Sequence, residues 1–172
     1  MTDGFDVNPQ FLNIAVTEGT VNVFTEESVA TPVIRDLGNG KAMVMEILKL
    51  YFEMDAPELI NIVNTTVRCQ LTIQSQTGIQ ILSHPDVIMK YHRGITCVDT
   101  AATDGTVALY LGDEVKEFDL TDGNGNGLIY ANKNIFLGIQ GANNTTVKHA
   151  RVKILFRLKK VNAQEMIGAL QL

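Results

Sequence analysis

Cysteine is scarce in this chain: Cys69 and Cys97 are the only two among 172 residues. Their separation matches none of the paired spacings of a zinc ribbon or a thioredoxin-like redox motif, so the expectation is a pair of buried free thiols behaving as small hydrophobes. Long apolar runs are also missing. None approaches the roughly 20 residues that cross a bilayer, so no membrane span is expected. Positive charge is absent from the first residues, Met1-Thr2-Asp3-Gly4-Phe5-Asp6, which show neither the basic n-region nor the apolar h-region of a secretory signal. Disorder is excluded from the other side: apolar residues make up 45% of the chain and charged residues 19%, enough to bury a continuous core in one domain.

Catalytic signatures are missing too. The histidines, His84, His92 and His149, are dispersed, and none enters a His-x-His or His-Glu-x-x-His pattern that would hold a transition metal. There is no Gly-x-Ser-x-Gly elbow, no phosphate-cradling Gly-Lys-Ser/Thr loop and no dinucleotide fingerprint. Acidic pairs such as Glu26-Glu27 and Asp113-Glu114 read as hydrated loop residues. No catalytic residue and no cofactor is therefore assigned, and the expectation is a protein that is not an enzyme. One metal motif stands out: Asp122, Asn124 and Asn126 supply oxygens at positions 1, 3 and 5 of a calcium-type loop, with Gly127 at position 6 and Ile129 at position 8. The twelfth position, where a bidentate Glu belongs, is Lys133. An EF-hand is excluded, a Gly/Asn turn is favoured, and a weak irregular calcium site is the remainder. The sequons at Asn64, Asn143 and Asn144 read as loop composition.

What the chain does have is period-two hydrophobicity. Val67, Cys69, Leu71 and Ile73 alternate with Arg68, Gln70, Thr72 and Gln74, which describes a half-buried strand. The period returns where Ala150, Val152, Ile154, Phe156 and Leu158 oppose Arg151, Lys153, Arg157 and Lys159, interrupted only by Leu155. Shorter strands are expected at Phe11 to Val16, Thr20 to Phe24, Ile79 to Leu82, Thr106 to Leu111, Val115 to Leu120, Gly127 to Tyr130 and Asn134 to Gln140. Turn chemistry rich in Gly, Asn, Asp and Thr separates them, including a Gly38-Asn39-Gly40 turn. Residues 41 to 55 suit a strand on even positions, although Glu46 breaks the set and helical spacing also fits. A short helix is expected at Pro85 to His92. Many short strands of this kind point to an antiparallel sandwich or barrel.

Charge is unevenly distributed. Residues 1 to 58 carry ten acidic side chains against Arg35, Lys41 and Lys49, whereas Lys148, Arg151, Lys153, Arg157, Lys159 and Lys160 cluster in one stretch. Lys148, Arg151, Lys153, Arg157 and Lys159 are the candidate subunit contacts, with the acidic third of a neighbour as the complementary surface. A solvated strand face explains the same pattern equally well. No aromatic platform is visible beside this ridge, so the chain lacks a strong nucleic-acid signature.

The phrases Asp119-Leu120-Thr121-Asp122-Gly123 and Asn134-Ile135-Phe136-Leu137-Gly138-Ile139-Gln140-Gly141, the last strand Val152 to Leu158 and then Glu165-Met166-Ile167-Gly168 resemble the closing strands of viral single jelly-roll capsid proteins. The resemblance implies an all-β, two-sheet antiparallel jelly-roll sandwich of about eight strands. It also implies one domain over 1–172, with N-terminal strands or an arm over 1–40 and a C-terminal tail over 160–172. Its functional implication is a major capsid subunit of an icosahedral shell in the virion, assembled with copies of itself as trimers or larger units and open to a second coat protein. The acidic N-terminus departs from coats whose basic arm neutralises a genome. The alternative is an extracellular β-sandwich ligand-binding module of the carbohydrate-binding or trimeric signalling type, which would call for a calcium-linked loop. A cupin-type enzyme would need clustered His and carboxylate ligands, which three scattered histidines do not supply.

Overall fold

The structure is a computed structural model, and it describes residues 8–60, 62–98, 107–111 and 115–170. Among these, ten strands and one helix follow in order: β1 (Gln10–Thr17), β2 (Thr25–Ala30), β3 (Lys41–Met54), β4 (Thr65–Thr72), β5 (Val87–Val98), β6 (Val107–Leu111), β7 (Val115–Asp119), β8 (Leu128–Tyr130), β9 (Asn134–Ala142), β10 (His149–Asn162) and α1 (Ala163–Leu170). One sheet runs β1-β10-β3-β7, with β8 also paired to β3; the other runs β2-β9-β4-β5-β6. All the pairings are antiparallel. The pairs nest: β1 with β10, β2 with β9, β3 with β7, β4 with β5. Rolling a long hairpin so that successive pairs alternate between two facing sheets produces this order. The chain is a jelly-roll sandwich. Eight strands form the framework, β6 widens the second sheet and β8 backs β3.

Alternation places the core where it was expected. Val67, Cys69 and Leu71 of β4 face Val152, Ile154 and Phe156 of β10 across the sandwich, with Ile135, Leu137 and Ile139 of β9 beside β4; all are buried in one cluster. Phe52, Tyr91 and Phe118 pack edge to face, with the Phe52 and Phe118 centroids 5.6 Å apart at 89°. Leu155, which interrupts the pattern, points outward opposite Phe11 of β1.

β3 resolves the ambiguity of residues 41 to 55. Leu155 pairs with Lys49 but Phe156 pairs with Ile47, so Leu48 is an extra residue, a β-bulge. The extra residue reverses the phase. Leu50, Phe52 and Met54 reach the main core on even numbers, and Met45 and Ile47 reach it on odd ones. Glu46, Val44 and Ala42 therefore turn to the outer face. There Ala42 and Val44 join Ala131 and Val161, and partly buried Ile129 and Met166, in a small second core beneath α1.

Several expectations are corrected. Residues 20 to 24 form a turn with Asn22 at φ 61°, and the strand follows at Thr25–Ala30. Its sequence, TEESVA, is too polar to alternate because it is an edge strand paired only with β9 among the described residues. Ile79 to Leu82 is loop. Pro85 to His92 is not a helix: Pro85 and Asp86 form a turn, after which β5 runs in register with β4. Sheet pairing on both sides of β4 overrides the weak helix-start signal. The helix lies instead in the expected C-terminal tail. Glu165 N–H donates to Asn162 Oδ1 (2.9 Å) and Asn162 N–H to Glu165 Oε2 (3.0 Å), a reciprocal cap that starts α1 as β10 ends.

Gly127 lies against the bulge. A Cβ there would come 2.1 Å from the Ile47 carbonyl oxygen, which is backbone and cannot move aside, whereas Gly78 has nothing within 4 Å. Gly127→Ala is expected to cost about 3 kcal/mol in urea unfolding and Gly78→Ala less than about 0.5 kcal/mol. Equal stability of the two variants would contradict this packing.

Candidate assembly surfaces

The odd-numbered residues of β10 leave the core, so Arg151, Lys153, Arg157 and Lys159 share the outer face of the first sheet. Each meets a partner there. Arg151 Nη1 lies 3.5 Å from Glu53 Oε1, an exposed pair of little energetic weight. Lys153 Nζ sits 4.3 Å from the centroid of the Phe11 ring. The Arg157 guanidinium donates to the buried Glu46 carboxylate and to Gly125 O (3.0 Å), pinning the 121–127 loop to the sheet. Lys159 Nζ is 3.5 Å from the same carboxylate. Burial opposes ionisation of Glu46, but the Arg157 hydrogen bond, the Lys159 charge and the Gly127 N–H outweigh it and hold the carboxyl below its usual range.

Lys148 departs from the other candidates. It is 5% exposed, and its ammonium donates to Glu58 Oε1 (2.8 Å) inside a polar knot at one end of the sandwich. Glu58 also accepts from the N–H and hydroxyl groups of Thr145 and Thr146. Glu18, 2% exposed, accepts from Gly141 N (2.6 Å) and Lys148 N (2.9 Å). Asn144 ties Thr66 O to Glu58 N and Asn22. The charge segregation along the chain is thus largely answered within it: Glu46, Glu53 and Glu58 from the acidic third meet Arg157, Lys159, Arg151 and Lys148 from the basic stretch.

A shallow groove of about 560 Å³ crosses the same outer face, lined by Phe11, Asn13, Tyr51, Val115, Arg151 and Lys153. Phe11 is 52% exposed and Val115 54%. No aromatic platform accompanies the ridge along the sequence, but the sheet supplies two aromatics. β1 brings Phe11 opposite Leu155, and β3 brings Tyr51 opposite Lys153. No local signal reveals this, because the neighbours are about 140 and 100 residues away along the chain.

The calcium-type loop is satisfied internally. Asp122 Oδ1 accepts from Asn124 N (2.8 Å) and Asn126 N (3.0 Å), and Oδ2 from Asn126 Nδ2 (2.9 Å). The Arg157 cation bonds the loop's Gly125 carbonyl. Asp122, Asn124 and Asn126 make an Asx-type turn. The histidines stay apart: His149 Nδ1 lies 2.7 Å from Thr17 Oγ1, His84 accepts from Asp86 N, and His92 is on the opposite sheet. Cys69 is buried and free, and burial pushes its thiol well above the ordinary range. The Cys97 side chain lies outside the described residues.

No family model matches the chain, and no curated protein matches it. Similar solved structures are polyomavirus VP1 chains. The Trichodysplasia spinulosa-associated polyomavirus VP1, in complex with GM1 oligosaccharide, is 10% identical, with 94% of this chain and 96% of that one covered and a TM-score of 0.47. Apo New Jersey polyomavirus VP1 is 9% identical over 90% and 100%, at 0.48. An unassembled Washington University polyomavirus VP1 pentamer is 13% identical over 88% and 93%, at 0.47. The jelly-roll assignment rests on the strand pairing of this chain itself.

The polar knot makes a pH prediction. Hydrogen bonds from Lys148, Thr145 and Thr146 hold the Glu58 carboxyl far below its ordinary value of 4.5. A carboxyl depressed by folding contributes its full stabilisation above that ordinary value and loses it as the pH falls below. Glu58→Gln is expected to lower stability by about 3 kcal/mol at pH 7, leaving Lys148 buried without its counter-charge. The difference from the unaltered chain should shrink as denaturation is measured from pH 5 down to pH 3. A difference independent of pH would remove the ion pair from the account.

Proposed function

We propose that this chain is a self-assembling viral coat subunit, located in the virion, whose principal partner is another copy of itself. Fold alone does not carry that reading, because sandwiches host many functions. The observation that carries it is the outer face of the first sheet. The sandwich already has a complete core, yet this face leaves Phe11 and Val115 half exposed beside Tyr51, Arg151 and Lys153. Exposed aromatics and Arg beside apolar surface are the chemistry of a protein interface rather than of a merely solvated strand face. The edges agree: among the described residues β1 pairs only with β10 and β2 only with β9, so a neighbour can continue either sheet.

In this reading the domain spans 1–172, and Arg151, Lys153 and Lys159 are the ridge residues that reach a neighbouring copy. Lys148 and Arg157 act within the subunit. The nested topology is that of the single jelly-roll coats the sequence resembles, and the role is structural rather than enzymatic. A trimer or larger closed unit is the expected building block, with a second coat protein as a further partner of the shell. The extracellular ligand-binding alternative calls for calcium at the 122–126 loop, whose Asp122 carboxylate accepts hydrogen bonds from Asn124 and Asn126.

Sedimentation velocity and negative-stain imaging of the purified chain test the proposal. Closed rings, shells or a discrete oligomer are expected, and solitary chains at high concentration would overturn it. Arg151→Glu combined with Lys153→Glu should weaken assembly at least about tenfold, equivalent to about 1.4 kcal/mol, and change its salt dependence, with the far-UV spectrum unaltered. Unchanged assembly would remove the ridge from the contact.

A further inference from the structure

The outer face of the second sheet carries positive charge that the assembly reading does not use. On β4 the side chains of Thr66, Arg68, Gln70 and Thr72 leave the core. Arg68 stands directly opposite His92 of β5 on one side and Gln140 of β9 on the other, and Lys90 stands opposite Gln70 one rung along. Like charges on neighbouring rungs repel. Among the described residues no carboxylate forms an ion pair with Arg68, Lys90 or His92. The Lys90 ammonium instead donates to Gln80 O (2.8 Å). The repulsion registers in the titration of these groups: burial and the charges of Arg68 and Lys90 hold His92 below its ordinary 6.5, and burial with Arg68 holds Lys90 below 10.5.

Among the described residues, two hydrogen-bonding groups on this face are buried without a partner: Arg68 Nε and Thr66 Oγ1. They belong to residues two apart on one face of β4, so they address the same patch. A buried donor without an acceptor is costly, and a native structure tolerates few of them unless something else completes them. Gly94 stands opposite Thr66 and beside the His92 ring. A Cβ there would lie 3.4 Å from His92 Nε2 and 3.6 Å from Thr66 Cγ2. The rest of the face is closed by the loop from Ile73 to Asp86. Gln70 donates to Gly78 O (2.9 Å) and accepts from Gln80 N (2.7 Å), and both Gln70 and Thr72 are fully buried. His92 remains exposed. One end of the row is thus covered, and at the other Arg68 is partly exposed and His92 exposed.

We propose that Thr66, Arg68, Lys90 and His92 form a binding site for a tetrahedral oxyanion of the phosphate or sulfate type. The Arg68 Nε–H and the Thr66 hydroxyl donate to its oxygens, while Lys90 and protonated His92 supply charge. Among the described residues, the groups facing His92 are Arg68 and Thr66 from β4 and Lys90 from its own strand. The site is independent of the assembly reading, since it lies on the other sheet and needs no second copy. A bound anion favours the imidazolium, so affinity rises as the pH falls through the His92 pKa.

Sulfate is the cleaner probe because its charge is constant between pH 5.5 and 7.5. In the full chain, the His92 imidazole resonances are followed by NMR during titration with sodium sulfate, then with inorganic phosphate, at ionic strength held constant with chloride. The expected result is a rise in the His92 pKa of about 0.5 or more, a roughly threefold gain in proton affinity. Arg68→Gln should abolish that rise while the backbone amide spectrum persists. His92→Gln, at an exposed position, should leave sulfate binding at Arg68 and Thr66 but remove its pH dependence. A phosphate response exceeding that of sulfate at equal charge identifies phosphate as the ligand, and equal responses identify a general oxyanion site. A His92 pKa that moves no more with sulfate than with chloride, or as far in Arg68→Gln as in the unaltered chain, overturns the proposal.

Discussion

A single extra residue in β3 governs much of this molecule. Side chains in a strand alternate without exception until a bulge intervenes, and the bulge at Leu48 exchanges the two faces of β3 halfway along. Without it, Ala42, Val44 and Glu46 would point into the space filled by Met45 and Ile47. With it, one strand serves two cores: Leu50, Phe52 and Met54 hold the sandwich together, while Ala42 and Val44 receive α1 on the outer surface. The same reversal carries Glu46 to the outer face, where Arg157 and Lys159 balance its charge and Gly127 closes over the strand. The loop from 121 to 127 is held in place by that carboxylate.

Electrostatics divides the two outer faces. On the first sheet, acids from early in the chain meet bases from late in it, because β3 and β10 are neighbours over their full length. The pairing consumes Arg157 and, at the end of the sandwich, Lys148, and it leaves Arg151 and Lys153 exposed beside Phe11 and Tyr51. On the second sheet Glu26 and Glu27 lie on the edge strand β2, two strands from β4. Glu26 is occupied by Gln76 N (3.0 Å), and Arg68, Lys90 and His92 face outward without a counter-charge among the described residues. One face therefore has the composition of a protein contact, and the other has the composition of an anion site.

The secondary structure was legible wherever burial is one-sided. β4 and β10 show clean alternation because apolar side chains line the core face and polar ones the outer face; β4 matches its expected span to within two residues, whereas β10 runs on to Asn162. Edge and covering segments were harder to read. β2 buries too little to show a period, and the apolar Ile81 and Leu82 suggested a strand although both are largely exposed on a loop. α1 carried a readable signal in Asn162-Ala163-Gln164-Glu165, the reciprocal cap, but β-type alternation running up to Val161 masked it. The candidate surface was half legible: the alternation gave the basic ridge its common face, but it could not reveal that Lys148 is buried.

What the sequence by itself determined is the all-β class, the inward face of each half-buried strand and the absence of any recognised catalytic motif. These follow from local periodicity and spacing, which depend on residues a few positions apart. Only the tertiary structure decided which strands are neighbours, and so which charges are neutralised. The bulge phase of β3, the Glu58–Lys148 knot, the aromatic neighbours of Lys153 and the Arg68–His92 opposition all depend on register between strands that are distant in the chain. Register is set by the packing of the whole sandwich, and no local pattern encodes it.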